Sequence, residues 1–187
     1  MLNKTFYITP PIYYPSGNPH MGHAYSSIIA DFFARFKFLE GYDVLFLTGT
    51  DEHGQKIEKE ARKNNKDPKI FCDELSEKFK SLTKILNLSN NDFIRTTEKR
   101  HHKSVIEIWK KLVDSGDIYL DKYNGWYSVS DEAFYDEDEI EIKDGKKISK
   151  ISGSGVEWVE EESYFFKLSA WTNNLLEHYK KNEEFIL

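Results

Sequence analysis

The chain has 187 residues, of which 39% are hydrophobic and 15% aromatic, so a wholly disordered chain is excluded. Apolar runs are too short to cross a bilayer, and the single cysteine, Cys72, excludes an internal disulfide framework and a zinc site made of cysteines alone. The net charge of −6 is uneven: residues 1–116 hold 18 Lys and Arg against 15 Asp and Glu, whereas residues 117–187 hold 8 against 17. We therefore expect two regions with different roles, of which the first suits a polyanion better. Met1–Lys4 shows no secretory or transit pattern, so we expect a cytoplasmic protein with no membrane partner.

The first 50 residues predict a strand, a helix and a second strand. Thr5–Thr9 is rich in β-branched and aromatic residues, and prolines stop it. Met21–Glu40 has helical spacing and is followed by Gly41, a typical C-terminal cap. Asp43–Thr48 has the nearly continuous apolar centre of a parallel strand that is buried on both faces. This order indicates a βαβ unit. The apolar positions of its helix are Ile28, Ile29, Phe32, Phe33, Phe36 and Leu39.

Further helices follow this unit, and the texture of the chain then changes. A short polar helix follows Gly54, and Asp67-Pro68 supplies the cap and first residue of a longer one. Another helix spans about Lys99–Asp114 and ends at Gly116, where we place a domain boundary. The longer helix has an apolar stripe made of Phe71, Leu75, Phe79, Leu82, Ile85 and Leu86. Beyond the boundary come short aromatic runs, acidic clusters and glycine-rich turns, and then helical spacing over residues 164–180.

The sharpest motif is His20-Met21-Gly22-His23, at the junction of a loop and the first helix. A helix N-terminus presents unpaired N–H groups and the positive end of a dipole, so it attracts phosphate. Two histidines three residues apart lie on one side of the first turn and can both donate to phosphate or ribose oxygens. Gly22 between them allows a flat ring to approach the backbone. The alternative is an ordinary surface pair.

A second motif, TGTDEHG, occupies residues 48–54 directly after the second strand. In open α/β sheets ligands bind at the carboxyl ends of strands, so Asp51 could face an amine there, with Glu52 or His53 lining the same cleft. A competing interpretation is a metal site that adds these three residues to His20 and His23, but no His-Glu-x-x-His spacing supports it.

These motifs together resemble the methionyl-tRNA synthetase family of class I. The similarity rests on residues 11–25, PIYYPSGNPHMGHAY, and on residues 47–57, LTGTDEHGQKI. His-x-Gly-His alone is shared by all class I synthetases and several nucleotidylyltransferases, whereas the combination with Gly-Thr-Asp-Glu-His-Gly is specific. Further similarity runs through residues 93–98, 129–135 and 160–166, so it covers essentially the whole chain.

The resemblance implies an α/β fold, with the N-terminal half of a Rossmann-type (HUP-like) parallel-sheet catalytic domain in residues 1–116 and an incomplete connective-peptide insertion in 117–187. It implies a methionine–tRNA ligase that forms methionyl-adenylate from methionine and ATP, with Mg²⁺, and transfers methionine to tRNA(Met) for translation. His20 and His23 would be catalytic and would bind ATP together with Gly22. The residues implied to bind methionine are Pro11, Ile12, Tyr14 and Asp51.

Three departures from the family pattern set further expectations. Lys147–Ile151 looks like the family's second signature, Lys-Met-Ser-Lys-Ser, but lies too early in the chain, so we expect no catalytic role for it. The stretch that carries zinc-binding cysteines in many relatives, here Tyr127–Asp131, has none, so we expect no zinc and a knuckle held by aromatic packing. Family members are longer and carry the rest of the site beyond Leu187. We therefore expect this chain by itself to be inactive.

Other functions stay open at this point. The rivals are a class I synthetase for another amino acid (cysteine, valine, leucine or isoleucine), a small-molecule nucleotidylyltransferase, and a non-catalytic paralogue fragment. A cysteine enzyme would need a zinc-binding cysteine near the prolines at residues 10–11, where there is none.

Overall fold

A computed structural model describes residues 4–185, and these form two compact units that divide between Ser104 and Val105. None of the helices in this described range combines the length and the apolar character that crossing a bilayer requires. The domain boundary predicted near Gly116 stays a prediction.

The first unit is built on a parallel sheet of three strands, in the order β1 (Thr5–Ile8), β2 (Asp43–Thr50) and β3 (Asp92–Arg95). Helix α1 (Met21–Leu39) connects β1 to β2, which confirms the predicted βαβ unit. The connection from β2 to β3 contains α2 (Gln55–Lys63) and α3 (Pro68–Ile85), and α4 (Lys99–Asp114) follows β3.

Local signals in the sequence mark the helix ends correctly. The Asp67 carboxylate accepts from the Lys69 N–H at 2.9 Å and from the Ile70 N–H, while Pro68 occupies the first turn of α3. Gly41 adopts a φ of +84° just after α1, and its N–H donates to the Phe38 carbonyl at 2.9 Å. A left-handed residue at this position closes a helix end, and glycine adopts it without a Cβ penalty.

The face of α1 that packs on the sheet is not its apolar stripe. The buried positions are small or polar and include Ala30 and Ala34, which pack on Phe46 of β2. The six large apolar residues predicted for this helix are all exposed. Helical spacing predicts a helix and a stripe, but it does not say which side meets the sheet. Alanines allow the helix backbone to approach the strands closely.

Among the described residues, one face of strand β2 is well buried and the other is buried only toward its C-terminal end, so the predicted burial on both faces is wrong at Leu45. Phe46, Thr48 and Thr50 are fully buried on one face, whereas Leu45 on the other face is half exposed, as is Tyr7 on the paired strand β1. Parallel sheets are normally covered by helices on both faces. In α3, Phe71, Leu75 and Phe79 are buried as predicted, but Ile85 is exposed.

The second unit contains an antiparallel sheet and a hairpin. The sheet has the order β5 (Ala133–Tyr135), β4 (Ile118–Ser128) and β8 (Glu157–Phe166), and the hairpin pairs β6 (Ile140–Lys143) with β7 (Lys146–Ser149). Helix α5 spans Thr172–Lys181. The predicted helical stretch from residue 164 is therefore wrong over 164–166, which continue the long β8 ladder with β4.

An acidic side chain joins two turns of the second unit. The Asp131 carboxylate accepts from the hydroxyls of Ser152 at 2.6 Å, Ser154 at 2.8 Å and Tyr135 at 2.9 Å. The Ser152 hydroxyl above all, with the Ser154 and Tyr135 hydroxyls, lowers the pKa of Asp131 to about 2. The turns after β4 and β7 are thus held together by hydrogen bonds to a carboxylate, which the sequence analysis did not predict.

The predicted aromatic packing accompanies these bonds. Trp126 and Trp158 are paired edge to face with centroids 5.2 Å apart, and Tyr127 lies 4.8 Å from Phe134. Lys147, in the run that resembles a second signature, lies on β7 with its ammonium 3.6 Å from the centre of the Trp126 ring.

Candidate functional site

The loops after β1 and β2 meet at the carboxyl edge of the parallel sheet, where ligands bind in open α/β folds. The Tyr13 N–H donates to the Gly49 carbonyl and the Asp51 N–H donates to the Tyr13 carbonyl, both at 2.8 Å. Tyr13 therefore pairs with Thr50 as a continuation of the sheet. The two motifs singled out in the sequence lie on these neighbouring loops.

His20 and His23 cap the N-terminus of α1. The Gly22 N–H donates to His20 Nδ1 at 3.1 Å, and the His20 N–H donates to His23 Nδ1 at 3.1 Å. This is the reciprocal geometry of a capping box, made here by two imidazoles with centroids 3.8 Å apart. A neutral imidazole that accepts at Nδ1 carries its proton at Nε2. Each ring is thereby set to donate an Nε2–H beside the positive end of a helix.

Burial, and secondly the nearby His20, lower the pKa of His23 below its ordinary 6.5. The neutral tautomer that the capping bond requires is therefore favoured near pH 7.

Gly22 is in close contact with the His20 ring. A Cβ at this position would lie 3.0 Å from His20 Cε1 and 3.2 Å from Nδ1, closer than side chains ordinarily pack. Any larger residue would push the imidazole away from its capping position, so glycine here preserves the histidine geometry.

Tyr13, which the sequence analysis did not assign a role, supports His23 from below. Its side chain is 1% exposed and stacks on Phe79 of α3 at 4.8 Å. Because the Ser27 hydroxyl donates to the His23 carbonyl at 2.8 Å, the Tyr13 hydroxyl is the donor in its 2.6 Å bond to Ser27. The His23 ring packs edge-on against both aromatic rings. A loop residue has no periodicity, so no signal in the sequence distinguishes Tyr13 from its neighbours.

The residues predicted to bind methionine lie on the same two loops. Tyr14 packs on the α2–α3 core, and its hydroxyl donates to the His53 carbonyl at 3.0 Å. Pro11 and Ile12 are exposed, and no hydrogen bond or ring contact within the described range links them to Asp51. The Asp51 side chain is partly buried and has no protein partner in that same range.

Glu52, next to Asp51, has a buried carboxylate that the sequence analysis did not single out as structural. Arg95 binds it in bidentate fashion, through Nε at 2.6 Å and Nη2 at 2.9 Å. The hydroxyls of Thr97 and Thr50 donate to it at 2.5 and 2.7 Å. Burial alone would raise the pKa of Glu52, but the hydrogen bonds from Arg95, Thr97 and Thr50 outweigh it, and the pKa is lowered.

This pairing bears on the alternative metal site. With both carboxylate oxygens of Glu52 engaged, the five predicted ligands cannot converge on one ion. Between residues 4 and 185, no group of three or more His, Cys, Asp or Glu side chains has the arrangement of a metal site.

Comparisons with known proteins all point to the same family. Residues 6–146 match the family model described as tRNA synthetases class I (M). The chain is 55% identical over 185 residues to the methionine–tRNA ligase of Rickettsia conorii, covering 99% of this chain and 36% of that protein. It is 52% identical to the enzymes of the same name from Rhizobium meliloti and Listeria monocytogenes, covering 97% and 98% of this chain and 35% and 29% of those proteins.

Solved structures agree. The structure is similar to Mycobacterium tuberculosis methionyl-tRNA synthetase in complex with methionyl-adenylate, with a TM-score of 0.91 and 46% identity over 98% of this chain and 36% of that one. The apo form of the Mycobacterium tuberculosis enzyme matches with a TM-score of 0.74 and 43% identity, over 99% of this chain and 35% of that one. The chain thus spans about a third of the length of the curated relatives it matches.

Proposed function

The chain belongs to the family of class I tRNA synthetases for methionine, and from this membership and the loop geometry we propose that it is part of a methionine–tRNA ligase. The complete protein would activate methionine with ATP to methionyl-adenylate and transfer it to the 3′ end of tRNA(Met). Residues 1–116 would form the first half of the nucleotide-binding domain, and 117–187 would belong to a connective insertion. A cytoplasmic location is part of the proposal, because tRNA charging supplies the ribosome.

Family membership supports methionine as the amino acid, and the capped histidine pair is the structural observation that carries the adenylation step. In adenylate formation the carboxylate of the amino acid attacks the α-phosphate of ATP and pyrophosphate leaves, so the protein positions the reactants and stabilises developing negative charge. His20 and His23 would supply Nε2–H donors for that charge, beside the N-terminus of α1. Gly22 would keep the His20 ring in place and let adenine pack on the backbone.

Methionine would bind across the two loops. Asp51 would hold the α-amino group, since its carboxylate is unengaged by protein within the described range. Pro11, Ile12 and Tyr14 would form one wall for the side chain. The remaining wall would come from parts of the complete protein outside this chain, which spans 36% of a relative.

The proposal involves Mg²⁺ but no zinc. Mg²⁺ binds oxygen ligands and commonly reaches a nucleotide site on the phosphates themselves. Arg95 engages Glu52, so we propose that Mg²⁺ would arrive bound to the phosphates of ATP. We also propose that the second unit binds no zinc, since hydrogen bonds to Asp131 hold its two turns.

ATP–pyrophosphate exchange with each of the twenty amino acids tests the proposal. The complete protein should catalyse exchange with methionine and with no other amino acid, and the 187-residue chain should catalyse none, because its site is incomplete. Exchange with valine, leucine, isoleucine or cysteine would favour another class I synthetase. Exchange with none would favour a nucleotidylyltransferase or a non-catalytic paralogue. Exchange by the 187-residue chain would refute its inactivity.

A further inference from the structure

Glu52 is a buried carboxylate next to Asp51, the residue proposed to bind the amino group of the substrate. The side chain of Glu52 is 0% exposed, although it lies one residue from Asp51 at the ligand-binding edge of the sheet. Taking a carboxylate out of water is costly unless it is paired and hydrogen-bonded. Here the arginine and two hydroxyls provide four donated bonds, so the network is complete.

The backbone around Asp51 is fixed on both sides by this arrangement. Its own N–H donates to the Tyr13 carbonyl at 2.8 Å, and the Glu52 N–H donates to the Thr96 hydroxyl at 2.8 Å. Arg95 is the last residue of β3, directly before Thr96, and it also binds Asp73 of α3 at 2.5 Å. The network therefore ties the loop after β2 to a neighbouring strand and to a helix behind it.

The network also determines which carboxylate of this loop keeps an unpaired negative charge. Arg95 neutralises Glu52, so that Asp51 is left as the carboxylate of this loop with no protein counter-ion within residues 4–185. An ammonium group that arrives at this edge would meet one defined carboxylate rather than two that compete for it. Lysine could not replace Arg95, because a single ammonium cannot make the bidentate pair.

We propose that Glu52 and Arg95 are positioning residues that orient Asp51 and leave it as the sole carboxylate for the amino group of the amino-acid substrate. This inference rests on the proposed function. Glu52 and Arg95 act through Asp51 and touch no reacting atom.

The test uses the complete protein and compares the KM for methionine with the KM for ATP in pyrophosphate exchange. Glu52→Gln leaves Arg95 with Asp73 as its carboxylate partner, and Arg95→Gln leaves the buried Glu52 carboxylate without a counter-ion. Each single variant should raise the KM for methionine about tenfold or more, the order of coupling found between groups in one ion-pair network. The KM for ATP should change less than about twofold, since the histidine pair is not part of the network.

The double variant Glu52→Gln/Arg95→Gln tests whether the two residues act as a pair, while the comparison of the two KM values separates positioning from a general loss of stability. It removes both charges, so its KM for methionine should lie closer to the wild-type value than that of either single variant. Arg100→Gln is the matched control: Arg100 pairs with Asp92 at the opposite end of β3 in an exposed ion pair, and this variant should leave both KM values unchanged. Thr97→Val, which removes one bond to Glu52, covers the case in which a charge variant does not fold and should raise the KM for methionine more modestly.

Two outcomes would overturn the inference: an unchanged KM for methionine in both single variants, or equal increases for methionine and ATP. If the wild-type protein catalyses exchange with methionine and both single variants have its KM for methionine, the proposed function stands and the positioning role fails. If wild type does not exchange, hydrogen exchange of residues 49–54 still tests the anchoring. Faster exchange in the single variants supports it, and wild-type protection in both refutes it.

Discussion

Gly49 should be among the least replaceable residues of the sheet. It lies in β2 opposite Ile94 of β3, and a Cβ built on it would fall 1.9 Å from the Ile94 carbonyl oxygen and 2.8 Å from its carbon. These atoms belong to the backbone, so no side-chain rotation can relieve the clash. Gly49→Ala must therefore move the strands apart at the point from which Asp51 projects.

The size of the effect follows from the geometry. Adding atoms to a packed interior costs typically about 1–3 kcal/mol, and a backbone obstacle places this substitution at the upper end, about 3 kcal/mol. A loss of that size accelerates hydrogen exchange by local opening about a hundredfold. Gly17→Ala is the matched control, because a Cβ there meets nothing within 4 Å.

Hydrogen exchange of the complete protein, followed by mass spectrometry, measures this. Peptides that cover β2 and β3 should exchange about a hundredfold faster in Gly49→Ala and at the wild-type rate in Gly17→Ala. Protection of both strands within about twofold of wild type in Gly49→Ala would show that the close approach of β2 and β3 is not as described.

Further predictions concern single side chains. Tyr13→Phe removes only the hydroxyl that donates to Ser27, so stability should fall by about 1 kcal/mol and the KM for ATP should rise, whereas an unchanged KM would deny that Tyr13 supports His23. The pKa of His23, followed by NMR, should lie below 6.5 because of burial and then the nearby His20. Its contribution to stability is therefore present above pH 6.5 and is lost as pH falls through the folded value, and titration at or above 6.5 would contradict the capping geometry. Asp131, with its pKa lowered to about 2, stabilises its turns above 3.8 and loses this effect as pH falls toward 2. Asp131→Asn should expose those turns to hydrogen exchange at pH 5 already, and unchanged protection would refute the bridging role.

Signals that act over a few residues predicted much of the fold. Asp67-Pro68 and Gly41 mark helix ends through backbone bonds to near neighbours, and these positions are confirmed. The strand–helix–strand order of the first unit is likewise a local property. Which face of α1 meets the sheet is not local, because it depends on how closely the helix approaches, and small residues such as Ala34 decide it.

In the candidate site, too, the sequence predicted local features but not contacts between distant residues. The sequence motifs identified His20 and His23, and the structure adds that they cap the helix with their own rings. The partners of Glu52 could not be predicted, since Arg95 lies 43 residues away and an acidic residue in a polar loop looks solvated. Tyr13 was missed because a buried loop residue has neither periodicity nor charge.

The most direct test of the account is a crystal structure of the complete protein with methionyl-adenylate bound. We expect the amino group to lie within hydrogen-bond distance, about 3 Å, of the Asp51 carboxylate. We also expect the phosphate to face the Nε2 atoms of His20 and His23, with Nδ1 of each ring still accepting its backbone N–H. An adenylate bound away from these loops, or histidine rings turned so that Nδ1 faces the phosphate, would contradict it.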